Sequence, residues 1–310
     1  MILPSASEIK DIRPDDIETL AKLDASGLIV APMENFSDYL IRIEGVMSFT
    51  EKVTTELDKS GHFELDEKIV LPAENLIPES IIEEAAGITV PLYEITVCWV
   101  PGFFLSQSLG ILWGGCSYTD NENNLNLFLV RSSFATRKKW FVYRRDELIS
   151  HELCHAARAV LNDHTYEEYF AYQTSPKKTR RYLGGCFRTR FDALFFLLPI
   201  MTLLVAQISL TIIGRNIFPI WPFWIASGIF PAFLLIRNHC ERRRIHRAGA
   251  NLRKAGISRV NAVLFRSLTA EIKHFAKLKD SQQLIKYINE RVESELRWRI
   301  IHYRFIADGE

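Results

Sequence analysis

His151-Glu152-Leu153-Cys154-His155 sets two imidazoles four residues apart, with a carboxylate directly after the first. On a helix that spacing puts both rings on one face, so His151 and His155 can offer nitrogen to a single metal ion. Zinc takes such ligands, and a Glu in the second position is placed to accept a proton from an attacking water. Glu152 is therefore the candidate general base. A structural zinc site closes with four protein ligands, whereas a catalytic one keeps three and an open position. The third ligand must come from outside the motif.

The surrounding residues predict the elements that would position these groups. Asp146 suits an N-cap and Glu147 a first turn, and Leu148, Ile149, Leu153, Ala156, Ala157, Val160 and Leu161 keep a helical apolar spacing up to Asn162-Asp163. A second short helix follows over 166–173, capped by Asp163 or Thr165 and stopped by Ser175-Pro176. It carries Glu167 and Glu168. Ala171, one turn past Glu168, would let the second helix approach the first closely, which favours Glu168 as ligand over Glu167; His164, in the turn between the helices, is a further candidate. His164, Tyr166 and Tyr172 are candidate donors to an oxyanion. Cys154 is expected to pack as a small hydrophobe, and Arg158 to pair with a carboxylate of the second helix. The competing reading is that the two His are ordinary half-buried side chains and Glu168 a solvated carboxylate.

The stretch 92–173 resembles the gluzincin branch of zincin metallopeptidases, in which H-E-x-x-H is followed on a later helix by a ligand Glu, often as E-x-x-A and then Asp or another polar residue. Glu168-Tyr169-Phe170-Ala171-Tyr172 is the matching segment, with Tyr172 where Asp is more usual. The metzincin pattern needs Gly and a third His; those positions are Arg158 and Leu161 here. The resemblance implies an α+β, zincin-like domain whose small sheet offers an edge strand to an extended peptide. It also implies Zn²⁺ on His151, His155 and Glu168, Glu152 as base, and a peptide or protein substrate.

The chain has 310 residues, and its five Cys show no paired spacing, which points to a reducing compartment. A net charge of +1 hides a segregation: residues 1–130 hold 7 Lys and Arg against 22 Asp and Glu, and residues 131–310 hold 31 against 15. The first residues lack the basic and apolar regions of a cleaved signal peptide. Helices are expected over 7–26, over 36–60 with Gly61 as its stop, and over 79–86. Strands are expected over 93–100, over 109–118 with Gly114-Gly115, and over 125–131, with turns at Pro101-Gly102 and at 120–124.

Residues 193–213 and 217–236 are uncharged runs, each long enough to cross a hydrocarbon core of about 30 Å at about 1.5 Å per residue. Trp221 and Trp224 suit an interfacial belt. Lys177, Lys178, Arg180, Arg181, Arg188 and Arg190 precede the first run, a further basic cluster from Arg237 to Arg247 follows the second, and Arg215 stands alone between them. The positive-inside rule then places both termini and the catalytic segment in the cytoplasm. The charges around the motif exclude a metal inside the bilayer. Residues 241–254 read as a polybasic helix against anionic headgroups, and proximity to two spans favours lipid over nucleic acid as the partner of that charge. Amphipathic helices are expected over 258–279 and 281–306. The organisation is thus a helical region (1–91), a catalytic region (92–190), a transmembrane hairpin (191–237) and a basic helical region (238–310). The expected protein is a membrane-anchored zinc metallopeptidase; the alternatives are an inactive zincin-like binding module and a membrane scaffold.

Overall fold

Pro14 has no amide hydrogen to give a helix, and helix α1 (Ile17–Ala25) begins after it, capped by Asp16 accepting from the Thr19 amide; Ile9 is also helical, but residues 11–16 interrupt the helix expected over 7–26. The computed structural model describes residue 9 and residues 11–66, 69–105, 114–120, 125–214 and 218–307. Helix α2 (Phe36–Ser60) has the expected bounds: Asn35 accepts from the Asp38 amide at its start, and Gly61 at φ 73° ends it in the left-handed region that glycine tolerates. The hairpin β1 (His62–Asp66) and β2 (Ile69–Pro72) follows. Helix α3 (Glu79–Tyr93) runs past the expected end at Ala86, with Pro91 inside it.

That extension removes the strand expected over 93–100. Ile95, Val97 and Trp99 alternate into the core as a strand would, yet among the described residues they have no ladder partner. The backbone is satisfied elsewhere: the Thr96 amide donates to Ala25 O at 2.8 Å, and Trp99 O accepts from Thr50 Oγ1 at 3.1 Å. Strand periodicity records alternating burial and does not by itself require pairing.

One three-stranded sheet has the order β3 (Gly102–Leu105), β5 (Leu125–Arg131), β4 (Gly115–Asp120), with β5 parallel to β3 and antiparallel to β4. Strand β5 has the expected bounds. The expected second strand begins only at Gly115; its residues 109–113, and residues 121–124 of the expected turn, lie outside the described residues. A tight hairpin, β6 (Lys139–Trp140) and β7 (Tyr143–Arg144), leads into the motif helix α4 (Arg145–Arg158). Arg144 occupies the N-cap position, and Asp146 sits in the first turn. A single 3₁₀ turn (Ala159–Leu161) carries the chain to α5 (Glu167–Tyr172) and α6 (Lys178–Leu183). Then come α7 (Arg190–Ile213), α8 (Trp221–Lys254), α9 (Val260–Phe265), α10 (Thr269–Lys277), α11 (Ser281–Ser294) and α12 (Leu296–Phe305). The chain is therefore an α+β protein. The two amphipathic helices expected after residue 257 are four, because the chain turns at Arg266–Leu268 and at Glu295. Leu20, Ile43, Leu153, Leu252, Phe275 and Trp298 belong to one buried cluster, so the early helices, the motif helix and the last helices share a core.

Phe191–Ile213 is the one helix among the described residues that is long and apolar enough to cross a membrane. The second uncharged run is divided: Ile217 and the loop residues Arg215 and Asn216 lie outside the described residues, and α8 starts at Trp221. Its apolar part reaches only to Ile236, about 24 Å of helix at about 1.5 Å per residue. Helix α8 continues unbroken past Arg237 and buries Ile245, Ala248 and Leu252 in the protein core. Several cations of the polybasic run have protein partners: Arg237 pairs with both Asp192 carboxylate oxygens (3.1 and 2.8 Å), Arg242 donates to Arg181 O, and Arg244 pairs with Glu241.

A buried ion pair ties Asp24 of α1 to Arg266 at the end of α9, and Arg304 of α12 joins it. Arg266 Nε reaches Asp24 Oδ1 and Oδ2 (3.1 and 2.8 Å), its NH1 donates to Tyr93 O and Ala262 O, and Arg304 also pairs with Asp24. Removing one partner leaves the other as an uncompensated buried charge. Arg266→Ala is expected to cost about 3–5 kcal/mol of unfolding free energy, read by urea denaturation in detergent; a loss below about 1 kcal/mol would show that water reaches the pair.

Candidate metal centre

Helices α4 and α5 meet at the turn that Asn162 makes in a left-handed conformation (φ 46°), which Asn adopts more readily than most residues. The corner brings His151, His155 and Glu168 together. His151 Nε2 and His155 Nε2 face each other at 3.1 Å, and the Glu168 carboxylate lies 3.6 Å from each. Ligand atoms about 2.1 Å from zinc at the corners of a tetrahedron are about 3.4 Å apart. The His151–His155 separation is close to that edge length; the Glu168 contacts run from Oε2 to His151 and from Oε1 to His155, and one donor atom of each residue lies within 4.8 Å of the others, so a single ion is within reach of all three. All three residues are partly buried.

Each ring is held by a second partner. The Glu167 carboxylate accepts from His155 Nδ1 at 3.1 Å, which in the neutral ring leaves the Nε2 lone pair for the convergence point. Glu167 also accepts from His164 Nδ1 at 3.1 Å. His151 is hydrogen-bonded to the Ala171 carbonyl, and its ring meets the Tyr172 ring edge-on at 4.5 Å. Ala171 is fully buried, in keeping with the close helix approach expected of a small residue there. The adjacent acids thus divide the work: Glu168 faces both Nε2 atoms, and Glu167 orients His155 from behind. The sequence favoured Glu168 over Glu167 as the ligand but gave Glu167 no role, because neighbours on a helix are about 100° apart and normally serve different surfaces.

Glu152 points toward the sheet. Its carboxylate accepts hydrogen bonds from the Ser117 side chain and amide on β4, the edge strand nearest α4. Ser117 was not singled out by sequence, since a serine on a short strand carries no spacing signal. Burial pushes the Glu152 carboxyl up, while His155 and the Ser117 hydrogen bonds pull the other way. Burial also lifts Glu168, to about 7, with Glu152 and Glu167 adding to the rise against His155. Glu167 goes down to about 2, because its hydrogen bonds to His155 and His164 outweigh burial. Burial and the neighbouring His155 hold His151 well below the imidazole range. For His155 burial acts downward but loses to Glu167, Glu168 and Glu152, and the ring rises to about 9.

The remaining sequence candidates are placed as follows. Cys154 is buried in the core as expected. Arg158 does not pair with a carboxylate: it lies between the Phe170 and Phe265 rings, 4.5 and 5.3 Å from their centroids, and donates to Phe265 O. Two aromatic faces and a carbonyl take the buried guanidinium, and Asp163 and Glu167 act on it only as nearby charges. Tyr166 is buried with its hydroxyl donating to Glu241 of α8 at 2.5 Å, so it is not directed at the centre. His164 is largely exposed and tied to Glu167. Tyr172 alone of the three oxyanion candidates touches a His of the centre. No family model, curated protein or solved structure matches the chain.

Zinc titration of the metal-free chain separates the two acids. Glu168→Ala should abolish stoichiometric binding, whereas Glu167→Gln should retain the stoichiometry and weaken affinity about 10–100-fold, as loss of a ring-orienting carboxylate does. Equal affinities in Glu168→Ala and wild type would remove Glu168 from the ligand set.

Proposed function

We propose that this protein is a membrane-anchored zinc metallopeptidase acting at the cytoplasmic face of a membrane. The observation that carries the reading is the convergence of two imidazole nitrogens and one carboxylate at separations of 3.1, 3.6 and 3.6 Å beside a buried Glu. His151, His155 and Glu168 would hold the ion, leaving the open position of a catalytic site. When bound, zinc supplies the Lewis acidity that makes water nucleophilic near neutral pH and polarises a carbonyl.

The chain's own residues supply the proton transfers and the positioning. Glu152, raised by burial, accepts the proton of the attacking water and delivers it to the leaving amine. Ser117 holds that carboxylate against β4, so the base and the edge strand keep a fixed relation. An extended peptide paired along β4 would present its backbone to the centre. Glu167 keeps the His155 lone pair directed inward, and Tyr172 braces His151. Tyr172 is the oxyanion donor that the geometry favours, because it lies against the His151 ring.

The anchor consists of α7 and the apolar half of α8 as a hairpin, with both termini cytoplasmic. The two helices meet at Phe195 and Phe230, whose ring centroids lie 5.9 Å apart, and bury Leu203, Ala206 and Leu234, while Leu197, Val205, Ile212, Ile229 and Ile236 face outward. An outward apolar surface of that extent is stable in lipid and is a liability in water. Substrates would be membrane proteins or their cytoplasmic tails.

Glu152→Gln is expected to lower hydrolysis of an unstructured protein substrate by about 10²–10⁴-fold while zinc content, measured by elemental mass spectrometry, stays at the wild-type level. Full activity in Glu152→Gln would remove the general base. Wild-type chain that binds no zinc after reconstitution would leave an inactive binding module as the better description.

A further inference from the structure

The hairpin β6–β7 ends in two exposed apolar residues, Phe141 and Val142, 73% and 43% accessible. Phe141 has φ 50°, a left-handed conformation that a bulky side chain rarely adopts. A two-residue hairpin takes a positive φ at its first turn position, usually filled by Gly, Asn or Asp; here Phe fills it and its ring stands in solvent. The rest of the hairpin is anchored: the Trp140 ring is covered by Arg131, and Arg144 pairs with Asp146 at 2.7 Å.

The tip is fixed to the segment that enters α7. Arg180 on α6 stacks over the Tyr143 ring at 4.7 Å, its NH1 lies 3.5 Å from Val142 O, and the same guanidinium pairs with Glu147 of α4 at 2.8 Å. Beyond Arg180 the chain exposes Tyr182, Leu183 and Phe187 before Phe191 begins the apolar helix. Exposed cations flank these apolar residues: Arg137 and Lys139 beside the hairpin, Lys177 and Lys178 at the start of α6. Apolar side chains that dip, surrounded by cations that stay at the surface, are the composition of an interfacial membrane contact. An anionic headgroup layer is its electrostatic complement.

We propose that the β6–β7 tip and α6 form a foot that seats the mouth of the metal centre on an anionic bilayer surface, with Phe141 and Val142 inserted at headgroup level. This rests on the reading of α7 as a membrane span, because only the short stretch 184–189 separates α6 from α7 and so sets the height of the foot. Glu147 and Tyr143 link the foot to α4, and a Cβ on Gly114, at the start of β4, would meet Leu148 and the Tyr143 ring. The foot therefore stands beside the strand proposed to receive substrate, and a protein chain leaving the bilayer near it reaches that strand directly.

The test uses the full chain with Cys98, Cys116 and Cys240 replaced by Ser, carrying a nitroxide at Val142→Cys, Met33→Cys or Ile212→Cys, each checked to elute with wild type in detergent. In vesicles of phosphatidylcholine with phosphatidylserine, the Val142→Cys label should become oxygen-accessible and shielded from an aqueous nickel chelate, while the label at Met33, 78% exposed elsewhere, stays chelate-accessible. Adding Lys139→Glu, Lys177→Glu and Lys178→Glu should return the Val142→Cys label to water. A Val142→Cys label that stays chelate-accessible while the Ile212→Cys label is buried overturns the foot and leaves the span intact. Both labels in water overturn the span and the foot together. Equal burial of the Val142→Cys label in pure phosphatidylcholine overturns the assignment to anionic headgroups.

Discussion

Three donors converge only if α4 and α5 hold one angle, and the side chain that holds it is Arg158. Its guanidinium fills the space between Phe170 on α5 and Phe265 on α9. Tyr93 closes the arrangement, stacked on Phe265 at 4.2 Å, edge-on to Phe170 at 5.9 Å, and donating its hydroxyl to Phe170 O at 2.7 Å. Burial lowers the Arg158 pKa to about 10, still far above neutral, so the group remains a cation. A cation on aromatic faces in a dry interior is attracted to both rings at once, and a shift of α5 would give up ring contact and carbonyl bond together. The corner is thus tied to α3 and to α9, distant in sequence, and the geometry of the centre depends on the whole core.

The electrostatics inside that corner explain why the donor set suits a cation. Glu152, Glu167 and Glu168 lie within one partly buried region, and each raises or opposes the charge of another. Two imidazole nitrogens 3.1 Å apart repel unless a proton or an ion lies between them. Without an ion the site must protonate unevenly: His155 rises, His151 falls, and Glu168 moves to about 7. A dication bound by both rings and Glu168 answers the same charges in one step. Glu167 differs because its two His partners already compensate it, which is why it falls to about 2 beside a neighbour that rises.

What the sequence disclosed here follows physical range. The Ser175-Pro176 stop marked the end of α5, and helical spacing of apolar residues placed α2 and α4, because burial on one face is written locally at every turn. The strand β5 was legible for the same reason. The run after Tyr93 misled, since alternation reports burial and cannot say whether a partner strand exists. Glu152 and its two His could be read from four-residue spacing, but Ser117, which holds Glu152, is brought there by sheet packing. Arg158 was assigned to a carboxylate of the following helix, whereas the ring of Phe170 on that helix and Phe265 far along the chain claim it. Likewise the length of α8 was hidden, because the apolar segment and the basic segment differ in composition though one helix carries both.

That continuity has a mechanical consequence. Helix α8 passes from its apolar half into the protein core without a break, and Glu241, one turn beyond Arg237, receives the hydroxyl of Tyr166 at the start of α5. At the same level Asp192, held by Thr189 in a capping box, takes both nitrogens of Arg237, which locks the beginning of α7 to the middle of α8. A bidentate pair of this kind fixes orientation as well as distance. The α5 segment that supplies Glu167 and Glu168 is therefore joined to the apolar helices by a rigid element and two polar contacts, with no flexible linker between. On the proposed reading, the metal centre keeps one height and one tilt relative to the membrane, and substrate choice follows from which segments of a membrane protein lie at that height.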